Sequence, residues 1–177
     1  MKTCFLTFCT LLISLISVGS IHAQPSIVVK GTYDQKEILN QALHYAEILG
    51  LDKKTHIIIS FTHNINPVNL GYTQYQSEEV LGGWHQIYIR INKRKRRSVQ
   101  MITLAHEMVH AQQFVMGKLK LCNNDQYSWR GSQCTDLRNT AYHERPWERE
   151  AQATSVKLYD QYKTYNLMAM RSRRNDP

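Results

Sequence analysis

The chain has 177 residues and a formal net charge of +8, a length that suits one domain with its own core. It carries no internal repeat, no low-complexity segment and, past its first residues, no stretch apolar enough to cross a bilayer. The basic excess gathers in Lys93-Arg94-Lys95-Arg96-Arg97 and Arg171-Ser172-Arg173-Arg174; on a cytosolic chain such runs would suggest nucleic acid, a partner that an export signal removes.

That signal is legible at the start. Lys2 precedes an apolar run through Leu6, Phe8, Leu11, Leu12, Ile13, Leu15, Ile16 and Val18, which ends in Ile21-His22-Ala23. A positive start, an apolar middle and a small residue before the cut describe a secretory signal peptide over residues 1–23, leaving Gln24 as the new N-terminus. Ser14, Ser17, Gly19 and Ser20 interrupt the run, which is short for a membrane anchor. A secreted or periplasmic protein with no transmembrane segment after cleavage is expected, monomeric, with one domain over 24–170 and a basic disordered tail over 171–177.

After a lead-in with a possible strand at Ile27-Val28-Val29, the apolar positions Ile38, Leu39, Ala42, Tyr45, Ala46 and Leu49 recur at helical spacing. Asp34 is a fitting N-cap and Gly50 a fitting stop. Thr55 to Phe61 reads as a buried strand, Asn64-Ile65-Asn66-Pro67 as a turn, and Gly71 to Tyr75 as another strand. Gly82-Gly83 marks a bend. Trp84 to Asn92 alternates, with Ile87, Ile89 and Ile91 on one face. It is either an edge strand open to an extended peptide or an internal one.

A helix is predicted from about Arg97 to Met116, with Leu104, Met108, Ala111 and Val115 as its apolar stripe and Gly117 as its stop. It carries His106-Glu107-Met108-Val109-His110. Two histidines four apart share one helical face, so both can reach one Zn²⁺ at about 2.0–2.1 Å. Glu107 points about 100° round the helix, where a carboxylate can act on water without ligating the metal. The five basic residues before this helix oppose its dipole and therefore belong to a loop. They and the tail are either solvated surface or an attachment to an anionic cell-envelope surface.

Cys4 and Cys9 leave with the leader, so Cys122 and Cys134 form an even pair in an oxidising compartment. A disulfide there would pin a loop without helical or strand period and stabilise by about 3 kcal/mol. Pro146 then opens a helix predicted to reach about Tyr165, with Trp147, Ala151, Val156, Leu158, Tyr159 and Tyr162 on its buried side. Of the candidate third ligands Glu148, Glu150, His143 and Glu144, the first two point about 200° apart, so only one of them can face the metal.

Here the chain resembles the zincins, the H-E-x-x-H zinc metallopeptidases, and within them the gluzincin branch. The second string that carries the likeness is Glu148-Arg149-Glu150-Ala151-Gln152. The resemblance implies an α+β, zincin-like fold, with a small twisted sheet packed against the H-E-x-x-H helix and a second C-terminal helix. It implies His106, His110 and Glu148 as zinc ligands, with Glu150 and then His143 as alternatives to Glu148, and Glu107 as general base. Gln152 stands where the branch commonly has Asp or Asn supporting a ligand histidine, and it brings no charge. Tyr142 or His143 is placed to donate to the oxyanion of a tetrahedral intermediate. The expected activity is hydrolysis of a peptide or protein substrate. The alternatives are a zinc-braced binding module without catalysis, and hydrolysis of a cell-wall peptide crosslink.

Overall fold

The computed structural model describes residues 24–76, 83–123, 126–136 and 140–175. Outside them lie the expected leader at 1–23, Gly82 of the predicted bend, Asn124 and Asp125 of the cysteine loop, and residues 176–177 of the expected tail. The described chain is mixed α+β: β1 (Ser26–Lys30), α1 (Gln35–Ile48), β2 (Thr55–Thr62), β3 (Gly71–Gln76), β4 (His85–Asn92), α2 (Arg97–Val115), β5 (Leu119–Asn123), β6 (Gln126–Trp129), β7 (Thr135–Asp136) and α3 (Pro146–Asn175). A 3-10 turn at Tyr142–Glu144 leads into α3. Among the described residues no helix is long and apolar enough to cross a membrane.

The main sheet has the order β1-β2-β4-β3, with β1, β2 and β4 parallel and β3 antiparallel to β4. Period-two side-chain alternation puts Ile57, Ile59, Ile87, Ile89 and Ile91 on one face, all fully buried. Their register, Ile57 beside Ile87 and Ile59 beside Ile89, makes a branched apolar layer. Helices α1 and α2 pack into the same core, which Ala151, Leu158 and Tyr162 of α3 complete. Each buried isoleucine contributes about 1.5–3 kcal/mol.

β4 is therefore internal, and β3 takes the edge position that the sequence offered to β4. Composition accounts for this: β4 contributes three of the buried isoleucines, whereas β3 reads Gly-Tyr-Thr-Gln-Tyr-Gln and stays half open. Gly71 lets this edge come close to α2. A Cβ there would meet Thr103 Cγ2 at 2.7 Å and the Arg90 carbonyl oxygen at 2.9 Å.

The first helix ends as its sequence dictates. Gly50 has a φ of +68°, and the Gly50 and Leu51 amides donate to the Glu47 and Ala46 carbonyls at 3.1 and 2.9 Å, a Schellman closure. Asp34 stands at the N-cap without capping through its side chain; its carboxylate lies 3.5 Å from Arg97 instead. Lys93 to Arg96 precede α2 and only Arg97 enters it. The Gln100 side chain ties this turn down by donating to the Lys93 and Lys95 carbonyls at 3.1 and 2.8 Å.

Three expectations are corrected. The cysteine loop is not irregular: β5, β6 and β7 form a small antiparallel sheet, closed by the Cys122–Cys134 disulfide. Strands of two to five residues are too short for a period to stand out. Val156 is 42% exposed, and Ser155, 1% exposed, takes its place on the buried side. The stripe 147, 151, 155, 158, 162 keeps helical spacing, and Val156 falls about 100° away from it. Finally, α3 continues past Tyr165 to Asn175, so residues 171–175 of the expected disordered tail are helical.

Candidate metal centre

On α2 the 3.6-residue turn stacks His106 over His110, with ring centroids 4.7 Å apart. Their Nε2 atoms approach to 3.0 Å. Glu148 comes from the first turn of α3, and its Oε2 lies 3.2 Å from each of those nitrogens. Proline at the first position of α3 and the buried Trp147 (4% exposed) fix where that turn begins. Trp147 packs with Phe114 at the end of α2 and Leu119 of β5, forming a second apolar cluster.

The three residues fit a divalent ion with an affinity for nitrogen. Donors bound tetrahedrally at about 2.0–2.1 Å stand roughly 3.3 Å apart, close to the 3.0–3.2 Å separations here. Among the described residues, His106, His110 and Glu148 form the group whose donor atoms all lie within 4.8 Å of one another. Two imidazoles and one carboxylate form a donor set that zinc accepts.

The electrostatics of the cluster follow from this crowding. Burial raises the Glu148 carboxyl, but hydrogen bonds from His106 and His110 outweigh it and hold the group well below the usual carboxylate range. For His110 burial acts to lower the pKa, and the Glu148 hydrogen bond and nearby carboxylates reverse it to a net rise.

Glu107 is 5% exposed, beside the cluster and not in it. Burial raises its carboxyl above the ordinary range, although the nearby His110 and His106 rings and the Thr73 hydrogen bond pull it down. The Thr73 hydroxyl donates to Glu107 Oε2 at 2.7 Å and stands 3.2 Å from its main-chain oxygen. Edge strand β3 thus aims the carboxylate. Two openings flank it. One, of about 390 Å³, is lined by Val68, Leu70, Ile102, Thr103, Gln152 and Ser155 among others; the smaller, about 180 Å³, includes Tyr72, Phe114, Tyr127 and Trp147.

The Tyr142 hydroxyl lies 3.2 Å from His106 Nε2. Burial first, then the hydrogen bond and charge of Glu148, raise its pKa, so the phenol remains a donor. His143, its neighbour on the 3-10 turn, is exposed and outside the cluster, as is Glu144. Glu150 faces away from the donors, toward Lys118 at 3.4 Å and Arg130 at 2.9 Å. Gln152 is exposed on the wall of the larger opening.

The hydrogen bond expected at Gln152 is made by Gln113, whose Oε1 sits 2.8 Å from His110 Nδ1. Sequence reasoning missed both Gln113 and Thr73. The first had a signal, since it follows His110 by three residues and shares its face. Thr73, 34 residues before Glu107, had none. No known protein family, curated protein or solved structure matches the chain.

Proposed function

We propose that the chain is an exported zinc-dependent peptidase that hydrolyses amide bonds with Glu107 as general base. The observation that carries this is the convergence of His106, His110 and Glu148 within 3.2 Å beside a buried carboxylate that ligates nothing. Zn²⁺ held by those three residues would supply Lewis acidity toward water and carbonyl.

The chain's own residues do the rest. Glu107 takes the proton from the attacking water and returns it to the leaving nitrogen. Burial raises its pKa above the ordinary carboxylate range, which makes it a stronger base than an exposed glutamate. Thr73 holds its Oε2 and leaves Oε1 free to face the reacting water. Tyr142 donates to the oxygen that gains charge as the carbonyl is attacked. Among the described residues strand β3 is paired on one side only, to β4, so its outer edge can take an extended peptide by strand addition, next to Glu107. The Cys122–Cys134 bridge agrees with an oxidising destination.

Elemental analysis of the purified mature protein, together with cleavage of a proteome-derived peptide mixture, tests the proposal. Glu107→Gln is expected to keep zinc and to lose turnover by about 10²–10⁴-fold. An unchanged rate rejects the base. Salt-sensitive binding to an anionic surface with no cleavage by the wild type would favour a non-catalytic zinc-braced module instead.

A further inference from the structure

Gln113 is fully buried between α2 and α3, and every polar atom of its side chain is engaged. Nε2 donates to the Trp147 carbonyl and to Glu150 Oε2, both at 3.0 Å. Carbonyl and carboxylate oxygens only accept, so the amide nitrogen must face them. Oε1 is thereby turned to His110 Nδ1, 2.8 Å away. An oxygen acceptor there requires a proton on Nδ1, which in the neutral ring leaves the lone pair on Nε2. That is the nitrogen 3.2 Å from Glu148 Oε2. Glu150 is itself anchored by Lys118 and Arg130, so the chain of orientation runs from surface cations to the cluster.

We propose that Gln113 is the positioning residue that selects the Nδ1–H tautomer of His110 and turns its Nε2 to the metal, with Glu150 fixing the polarity of the Gln113 amide. This rests on the metal reading above and adds what holds the second histidine in register. It also explains how the site manages without a charged group at Gln152: a neutral amide, oriented by a half-buried carboxylate, supplies the acceptor.

Two measurements test it on the whole mature chain. In the metal-free Glu148→Ala variant, where that carboxylate no longer competes for the Nε2 proton, ¹⁵N NMR of labelled histidine at alkaline pH is expected to find the His110 proton on Nδ1. A proton on Nε2 there overturns the proposal. Chelator competition then measures zinc affinity. Gln113→Met keeps the volume but removes the acceptor, and is expected to weaken zinc by about 10–100-fold and to release the tautomer. Retained tautomer and affinity in Gln113→Met overturn the proposal. If the wild type holds no zinc, the peptidase reading fails, while the tautomer measurement still decides the role of Gln113.

Discussion

The two helices that supply the candidate metal donors obtain their geometry by different means. On α2, His106 and His110 are four residues apart, and helix formation alone brings their rings to one face. On α3, Glu148 reaches the same point only because Trp147 is buried against Phe114 and Leu119, and because Gln113 clasps the Trp147 carbonyl. One half of the site is a property of local spacing. The other is a property of packing between segments 38 residues apart. Substitutions that act on the two halves should therefore fail differently: the histidine pair fails with loss of a ligand or of the Gln113 support to His110, whereas Glu148 fails also when the packing beneath it is removed.

The largest effect on zinc binding is expected from the ligands. Zinc at about a hundred times its Kd stabilises the fold by about 2.7 kcal/mol, and thermal melts with and without chelator read that increment. His106→Ala and Glu148→Ala should each abolish it. If Glu148→Ala keeps the increment, the α2 pair binds metal alone, and the contribution of α3 to the site is wrong.

Trp147→Ala comes next and separates ligand from foundation, since it leaves all three donors in the sequence. Truncating a buried tryptophan costs about 3–5 kcal/mol. Because Trp147 is adjacent to Glu148 and belongs to the second cluster, zinc affinity should fall along with stability. Ile89→Ala supplies the control from the main sheet. It costs about 2–5 kcal/mol but should leave affinity nearly unchanged in whatever fraction stays folded. Equal losses of affinity in the two variants would erase the distinction between the halves.

What could be read in the sequence follows the same division. The α2 pair, Glu107 beside it, the helix limits at Asp34, Gly50, Gly117 and Pro146, and the isoleucine faces of β2 and β4 are consequences of period and of residues with special backbone demands. The place of β4 inside the sheet was not legible, because it depends on which strand covers its edge, a fact that no single segment carries. The small sheet around the disulfide was hidden by strands too short to show a period, whereas the exposure of Val156 follows from helical phase and was there to be read. Glu148 lies between these cases. Its helical phase separated it from Glu150, but its distance to the histidines could be expected only through resemblance. Thr73 is the extreme, since its place beside Glu107 follows from β3 taking the sheet edge.

The disulfide hairpin offers the finest test of how far the packed half extends. It touches α3 twice: Arg130 and Lys118 pair with Glu150, and Tyr127 and Trp129 lie 6.0 and 6.4 Å from the Trp147 ring. Replacing Cys122 and Cys134 together by alanine frees the unfolded chain over a 12-residue separation and should cost about 3 kcal/mol on the loop-entropy estimate. Since Glu150 and Gln113 keep each other in place without the crosslink, zinc affinity in the folded fraction should fall by no more than about threefold, well short of the loss expected when a residue supporting a ligand is removed. Denaturant melts read the first quantity and chelator competition the second. An affinity loss of tenfold or more would mean that the hairpin, and not α3 alone, holds Glu148 at the histidines, and the boundary of the site would then have to include residues 119–136.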